Sequence, residues 1–227
     1  MSSFTSDLLS RDYEVKIGEY FGRGWAIFKE FAWGYILFTL VIGILSALLS
    51  QLPAPLGIKA AEGDFAGGNL IFNIISPALG AGFYVVSFQI ARNRPKNFSD
   101  FFGGFKKFLP LFLTSLVSTI FIAIGLILLI IPGIYLAVSY MFAQLFVIDK
   151  NMNFWSAMDI SRRLIGRRWF SFLILGIVLG LLVLAGFLLI GVGALVTIPL
   201  STCVLAAAYE DIVGLNSVAE ESDGSWN

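Results

Sequence analysis

The sequence predicts an all-α polytopic membrane helix bundle of six transmembrane helices, arranged as three parallel hairpin repeats that are each led by an amphipathic helix on the cytoplasmic side. Three observations carry that expectation. Hydrophobic residues make up 58% of the 227-residue chain, mean hydropathy is +0.87 and only 13% of residues are charged, whereas in soluble domains roughly a quarter are. Two runs, Phe108 to Ile148 and Trp169 to Tyr209, hold no Asp, Glu, Lys or Arg over forty-one residues each. At about 20 residues per crossing, each run is two helices and a tight return. Fourteen of the fifteen bases fall in segments that the crossings place on one side.

Taken in order, residues 1–12 read as a loosely ordered polar tail, and the mixed charges of this stretch do not make a cleavable signal peptide. From Tyr13 to Phe31 the residues Ile17, Phe21, Gly24, Phe28 and Phe31 recur at three and four, with Lys16, Glu19, Arg23 and Glu30 opposite. That periodicity predicts a helix lying along the membrane surface, with Trp25 and Trp33 at headgroup depth. A first span follows in the charge-free run from Phe31 to Ile58, ending near Pro53 and Pro55, and then a Pro- and Gly-rich linker. The second span is expected from Leu70 to Ile90. Pro77, Gly80 and Gly82 lie inside it as sites for a kink or close helix approach.

The segment 97–108 sets Phe98, Phe101, Phe102, Phe105 and Phe108 on one face and Asp100, Lys106 and Lys107 on the other, with Asn97 or Ser99 as cap. Spans three and four are expected over 109–130 and 134–149, divided near Pro132-Gly133. A third amphipathic stretch sets Phe154, Ala157, Met158, Ser161, Leu164 and Ile165 against Asp159, Arg162, Arg163 and Arg167. The last two spans turn near Gly191 or Gly193, and 213–227 is an acidic tail. With only Lys59 on the far side, the positive-inside rule puts both termini in the cytoplasm.

The repeat units run roughly 13–92, 97–150 and 153–212, within one membrane domain over 13–212. A shift of sixty lays Lys107 on Arg167, Leu129 on Leu189, Ile130 on Ile190 and Gly133 on Gly193. These matches join units two and three, while unit one fits more loosely, and any up-down bundle with basic loops would give the same periodicity; if the units are repeats, each starts in the cytoplasm and they are parallel. Many alternating-access carriers are built from inverted ones.

Composition excludes several chemistries. There is no histidine, which removes the commonest metal ligand and general base. The single Cys203 cannot form an internal disulfide or a thiolate cluster and reads as a small apolar residue. No nucleotide, dinucleotide, nucleophile-elbow or zinc-protease motif occurs, so no catalytic residue, metal or cofactor is assigned. Zero net charge argues for neither nucleic acid nor another polyanionic partner, and no nucleic-acid partner is expected. Glu30, Asp149, Glu210 and Asp211 are expected at cytoplasmic ends within reach of water, which leaves no carboxylate at mid-bilayer. Uncharged polar groups remain at Asn73, Gln89, Gln144, Thr114, Ser115, Ser118 and Thr119, either as a hydrophilic path or as interhelical hydrogen bonds.

Two sets of residues are candidates for interaction. Lys106, Lys107, Arg162, Arg163, Arg167 and Arg168 are spaced to meet anionic lipid headgroups, with topology determination as the plainer alternative. Gly43 with Ala47, Ala78 with Gly82, and Gly176 with Gly180 put small residues four apart, which permits close helix crossing within the chain or between chains.

The turn Pro132-Gly133-Ile134-Tyr135, the stretch Ala157 to Arg168 before a hydrophobic hairpin, and the closing Ala206 to Tyr209 resemble a broad group of uncharacterised six-span bacterial membrane proteins. That group is similar to the membrane-embedded region beside some glycerophosphodiester phosphodiesterases. The resemblance covers roughly 98–212 and implies a bacterial cytoplasmic (inner) membrane location. It implies no activity, because the soluble phosphodiesterase barrel has no counterpart here.

The leading expectation is therefore a non-enzymatic membrane protein acting by association, as a scaffold, assembly factor or regulatory subunit. Its expected partners are membrane lipids and a second copy or other membrane subunits. The alternative is a passive pore, small-solute permease or lipid-handling protein.

Overall fold

The computed structural model describes residues 3–51, 67–189 and 191–215, and within them every regular element is helical. Most of the linker before the second span, with Lys59, and most of the C-terminal tail lie outside the described residues, as do Ile190 and the end of the expected first span. In chain order the helices are α1 (Ser3–Ser10), α2 (Ile17–Glu30), α3 (Ala32–Ser50), α4 (Gly67–Ala91), a 3₁₀ segment (Phe98–Lys107), α5 (Phe108–Leu128), α6 (Ile130–Ser139), α7 (Ala143–Lys150), α8 (Phe154–Gly166), α9 (Trp169–Leu188) and α10 (Ala194–Val213). Six stretches among the described residues are long and apolar enough to cross a membrane: Ala32–Ser50, Leu70–Ala91, Phe98–Leu128, Ile130–Lys150, Trp169–Leu188 and Ala194–Val213. The chain is an all-α, multi-span membrane bundle.

Two clusters form the core. In one, Phe101 of the 3₁₀ segment is fully buried and stacks on Phe38 at 4.6 Å, with Tyr35, Phe83 and Phe31 around it. In the other, Tyr209 of α10 meets Phe88, Phe142 and Phe146 at 5.2–5.5 Å between ring centroids. Edge-to-face contacts of this kind add to simple burial. α10 runs through the middle, its consecutive Ala206, Ala207 and Ala208 all buried. Small side chains there let α2 approach closely: a Cβ on Gly24 would stand 2.7 Å from the Val204 backbone.

The structure departs from the sequence expectations at four places. The N-terminal residues are not a loose tail, because Ser3–Ser10 is a helix that buries Thr5 and Leu8 and packs on α8. The apolar face of α2 meets protein where lipid was expected, with Tyr20, Gly24, Ile27 and Phe28 buried and Trp25 left outside. Spans three and four divide at Leu129 (φ −157°, ψ 132°), three residues before Pro132. Pro132 sits in the first turn of α6, where its missing N–H has no intrahelical acceptor to serve, and Gly133 lets α6 pass within 2.9 Å of a Cβ position on Gly125.

The fourth departure is a break in span four, between α6 and α7 at Tyr140 to Phe142. Backbone polar groups freed inside a membrane need new partners, and Ser161 of α8 supplies them. Its hydroxyl accepts from Phe142 N at 3.2 Å and donates to Ser139 O at 2.7 Å. By contrast α4 continues through Pro77. The carbonyl of Asn73, which Pro77 cannot reach with an N–H, accepts from the Ser76 hydroxyl at 3.3 Å.

Candidate functional site

The one charged residue among the buried polar side chains of the described structure, Asp149, lies where α4, α7 and α10 converge. Asp149, the first charge after an apolar run, sits one residue before the end of α7 and its side chain is 0% exposed. One carboxylate oxygen accepts from Arg92, directly after α4; the other accepts from the Tyr209 hydroxyl at 3.2 Å and pairs with Lys150 Nζ at 3.2 Å. The expectation that water reaches Asp149 is therefore corrected: two cations and a phenol enclose it. The hub is not legible in the sequence because Arg92, Asp149 and Tyr209 lie on three elements far apart in the chain.

Local backbone chemistry fixes both charges. α4 ends with Asn93 in the left-handed region (φ 54°), Asn93 N donating to Ile90 O and Arg94 N to Gln89 O, each at 2.9 Å. This paired pattern closes a helix at a left-handed residue. Asn151 after α7 is also in the left-handed region, at φ 52°. Asparagine tolerates that conformation better than other non-glycine residues, so the two stops bracket Arg92 and Asp149.

Beside the hub a cavity of about 480 Å³ opens between the end of α4, the 3₁₀ segment, the start of α5 and the end of α7. Its walls carry Arg92, Arg94, Lys106 and Lys107 against the single acid Asp100, over apolar Val85, Phe88 and Leu111. Asp100 caps the 3₁₀ segment, accepting from Asn97 N at 2.8 Å. Lys107 Nζ donates to the carbonyls of Val147 at 3.3 Å and Ile148 at 2.5 Å, which stitches the segment to α7. Arg92 Nε and Gln89 Oε1 are buried without a hydrogen-bond partner.

The six expected headgroup bases are deployed differently from one another. Arg167 donates to Leu9 O at 2.8 Å and Arg11 O at 2.6 Å, and Arg168 to Asp12 at 3.0 Å, so both tie the N-terminal segment to α8. The hydrogen bond from Arg168 and its charge hold Asp12 below the usual carboxylate range. Tyr13 donates to Leu164 O at 2.6 Å, and burial pushes its phenol up to about 12. Arg162 and Arg163 share Asp159, at 3.2 and 2.9 Å. Lys106 is exposed on the cavity wall and has no hydrogen bond or ion pair to the described residues.

The small-residue pairs divide as well. Ala78 and Gly82 seat the 3₁₀ segment: a Cβ on Gly82 would lie 1.9 Å from Phe101 O, and one on Gly104 would lie 2.1 Å from Ala78 O. Gly43, Ala47 and Gly180 are exposed, nothing stands within 4 Å of a Cβ added at Gly43 or Gly180, and Gly176 meets only Met141 at 3.9 Å. Of the uncharged polar groups, Thr114 bonds Pro110 O in its own helix at 2.7 Å, Thr119 faces outward and Ser118 is unbonded. Cys203 is fully buried, 3.6 Å from the Ser87 hydroxyl, which in turn contacts the Tyr35 hydroxyl at 2.8 Å. Among the described residues no three His, Cys, Asp or Glu side chains are grouped to hold a metal. No family model, no curated protein and no solved structure matches the chain.

Proposed function

We propose that the chain is a non-enzymatic protein of the bacterial cytoplasmic membrane, both termini inside, that acts by association as a scaffold, assembly factor or regulatory subunit. The observation that carries this reading is the set of outward small residues on two separate helices, Gly43 and Ala47 on α3 and Gly180 on α9, with open space beyond the two glycines. In lipid, apolar surface alone gives no drive toward another helix; close backbone approach at small residues does. Hydroxyls inside the spans support the same choice, since Thr39, Thr114, Ser139, Ser201 and Thr202 each bond a carbonyl of their own helix. Their protons are used within the helices, which leaves fewer donors for a hydrophilic path.

Affinity purification of the tagged chain in mild detergent tests the reading. A stoichiometric partner or a defined homo-oligomer is the expected product, and Gly180→Leu removes it while the monomer stays folded. A monodisperse monomer without a partner contradicts the proposal.

A further inference from the structure

We infer that the cavity between α4 and the 3₁₀ segment binds a phosphate-bearing anion, with the headgroup of an anionic membrane lipid as its natural source. This deepens the association reading by naming the lipid chemistry its basic face takes. Four cations wall the space against one carboxylate, and Asp100 is already engaged in capping the 3₁₀ segment. Asp149 neutralises part of Arg92 but shares its charge with Lys150, so the wall stays basic. Arg92 Nε is buried without an acceptor, and the exposed Lys106 Nζ has no acceptor among the described residues. Buried donors in native proteins are nearly always satisfied by protein, water or an ion, and a phosphate brings several charged acceptor oxygens at once.

The floor separates a lipid from a free phosphate compound. Val85, Phe102 and Ile148 give the cavity accessible apolar surface beside its basic residues, and such a surface suits the glycerol and first acyl carbons of a lipid better than a hydrated anion. The site also sits at the ends of three apolar stretches, Leu70–Ala91, Phe98–Leu128 and Ile130–Lys150, where headgroups gather around a spanning helix.

Thermal unfolding of the full chain in mild, uncharged detergent at fixed ionic strength tests the site. The titrants are dihexanoyl phosphatidylglycerol, dihexanoyl phosphatidylcholine and glycerol phosphate. Phosphatidylglycerol should raise the unfolding temperature saturably and phosphatidylcholine should not. Lys106→Glu combined with Ser99→Glu changes two exposed positions of the wall and should weaken the response about tenfold or more, at about 1 kcal/mol per charge near an anionic surface. Arg162→Glu with Arg163→Glu makes a larger charge change outside the cavity and should leave the response in place. A response to the lipid alone assigns the headgroup; an equal response to glycerol phosphate assigns the free anion to the same wall. No saturable response to any titrant, or equal loss in both double variants, overturns the site. Recovery of a partner or oligomer does not depend on these results, so the association reading stands or falls separately.

Discussion

α9 and α10 are neighbouring helices of twenty residues each, and they take opposite positions in the bundle. Of the most apolar eighteen residues, 61% are buried in α10 and only 22% in α9. α9 turns Phe170, Ile174, Ile177, Leu181, Leu184 and Phe187 outward, while α10 buries an unbroken row from Cys203 to Tyr209 that includes three alanines. Hydrophobicity here selects contact with lipid. The less apolar helix, rich in small and hydrogen-bonding residues, becomes the centre, because protein interiors in a bilayer are held by close packing and polar contacts.

Variants that attack what holds α10 in the centre should separate inward from outward positions. Asp149→Ala leaves Arg92 without the carboxylate that joins α4 and α7 to Tyr209 of α10. Removing one partner of a buried pair costs about 3–5 kcal/mol, which an unfolding titration in mixed micelles should read as the largest loss of the set. Gly82→Val, whose Cβ would meet Phe101 O at 1.9 Å, should cost about 1–3 kcal/mol or more through forced overpacking. Gly180→Val on the outward face of α9 meets nothing and should leave monomer stability unchanged by the same titration. If both glycine variants unfold alike, the division between inward and outward helices is wrong.

Ser161→Ala asks whether the break in span four is secured from α8. The change strips the partner from Phe142 N and Ser139 O, and about 1–3 kcal/mol should be lost for unsatisfied buried groups. Hydrogen exchange should show faster opening at Tyr140 to Phe142 than in the parent chain. The smallest effects concern the N-terminal segment. Because Arg168 lowers the folded pKa of Asp12, that contribution is present above the ordinary value of 3.8 and is lost as pH falls through the lowered one. Tyr13 runs the other way: its contribution is complete below 10.0 and is lost as pH rises through about 12. Protease access to residues 3–12 should increase at both extremes and be lowest between them.

Much of the fold was legible because bilayer crossing imposes length and charge rules that single residues report directly. The apolar runs from Phe108 and Trp169 predicted spans that the helices reproduce to within a few residues. The break at Tyr140 was not legible, since none of Tyr140, Met141 and Phe142 is a helix breaker and its stabilising partner, Ser161, lies nineteen residues beyond Phe142. Pro132 misled in the opposite direction: read as a turn residue, it occupies the first turn of a helix. The headgroup bases were found by clustering alone, which cannot tell Arg167, bonded to Leu9 and Arg11, from Lys106 on the cavity wall. Gln89 and Arg92 belong to the same place as Asp149 but lie in a segment far from it in the chain, each segment closed by a left-handed asparagine, Asn93 or Asn151. Asparagine directly after an apolar run and a charge, at both sites, was the signal available in the sequence.

Six crossings should leave the bases on one side of the membrane, and impermeant-thiol labelling of single introduced cysteines in intact and opened cells tests this most directly. The native Cys203 is fully buried and stays silent. Lys106→Cys and Arg163→Cys should react only after the cells are opened, whereas Val192→Cys, exposed between α9 and α10, should react in intact cells. Labelling of positions 163 and 192 from the same compartment would contradict it.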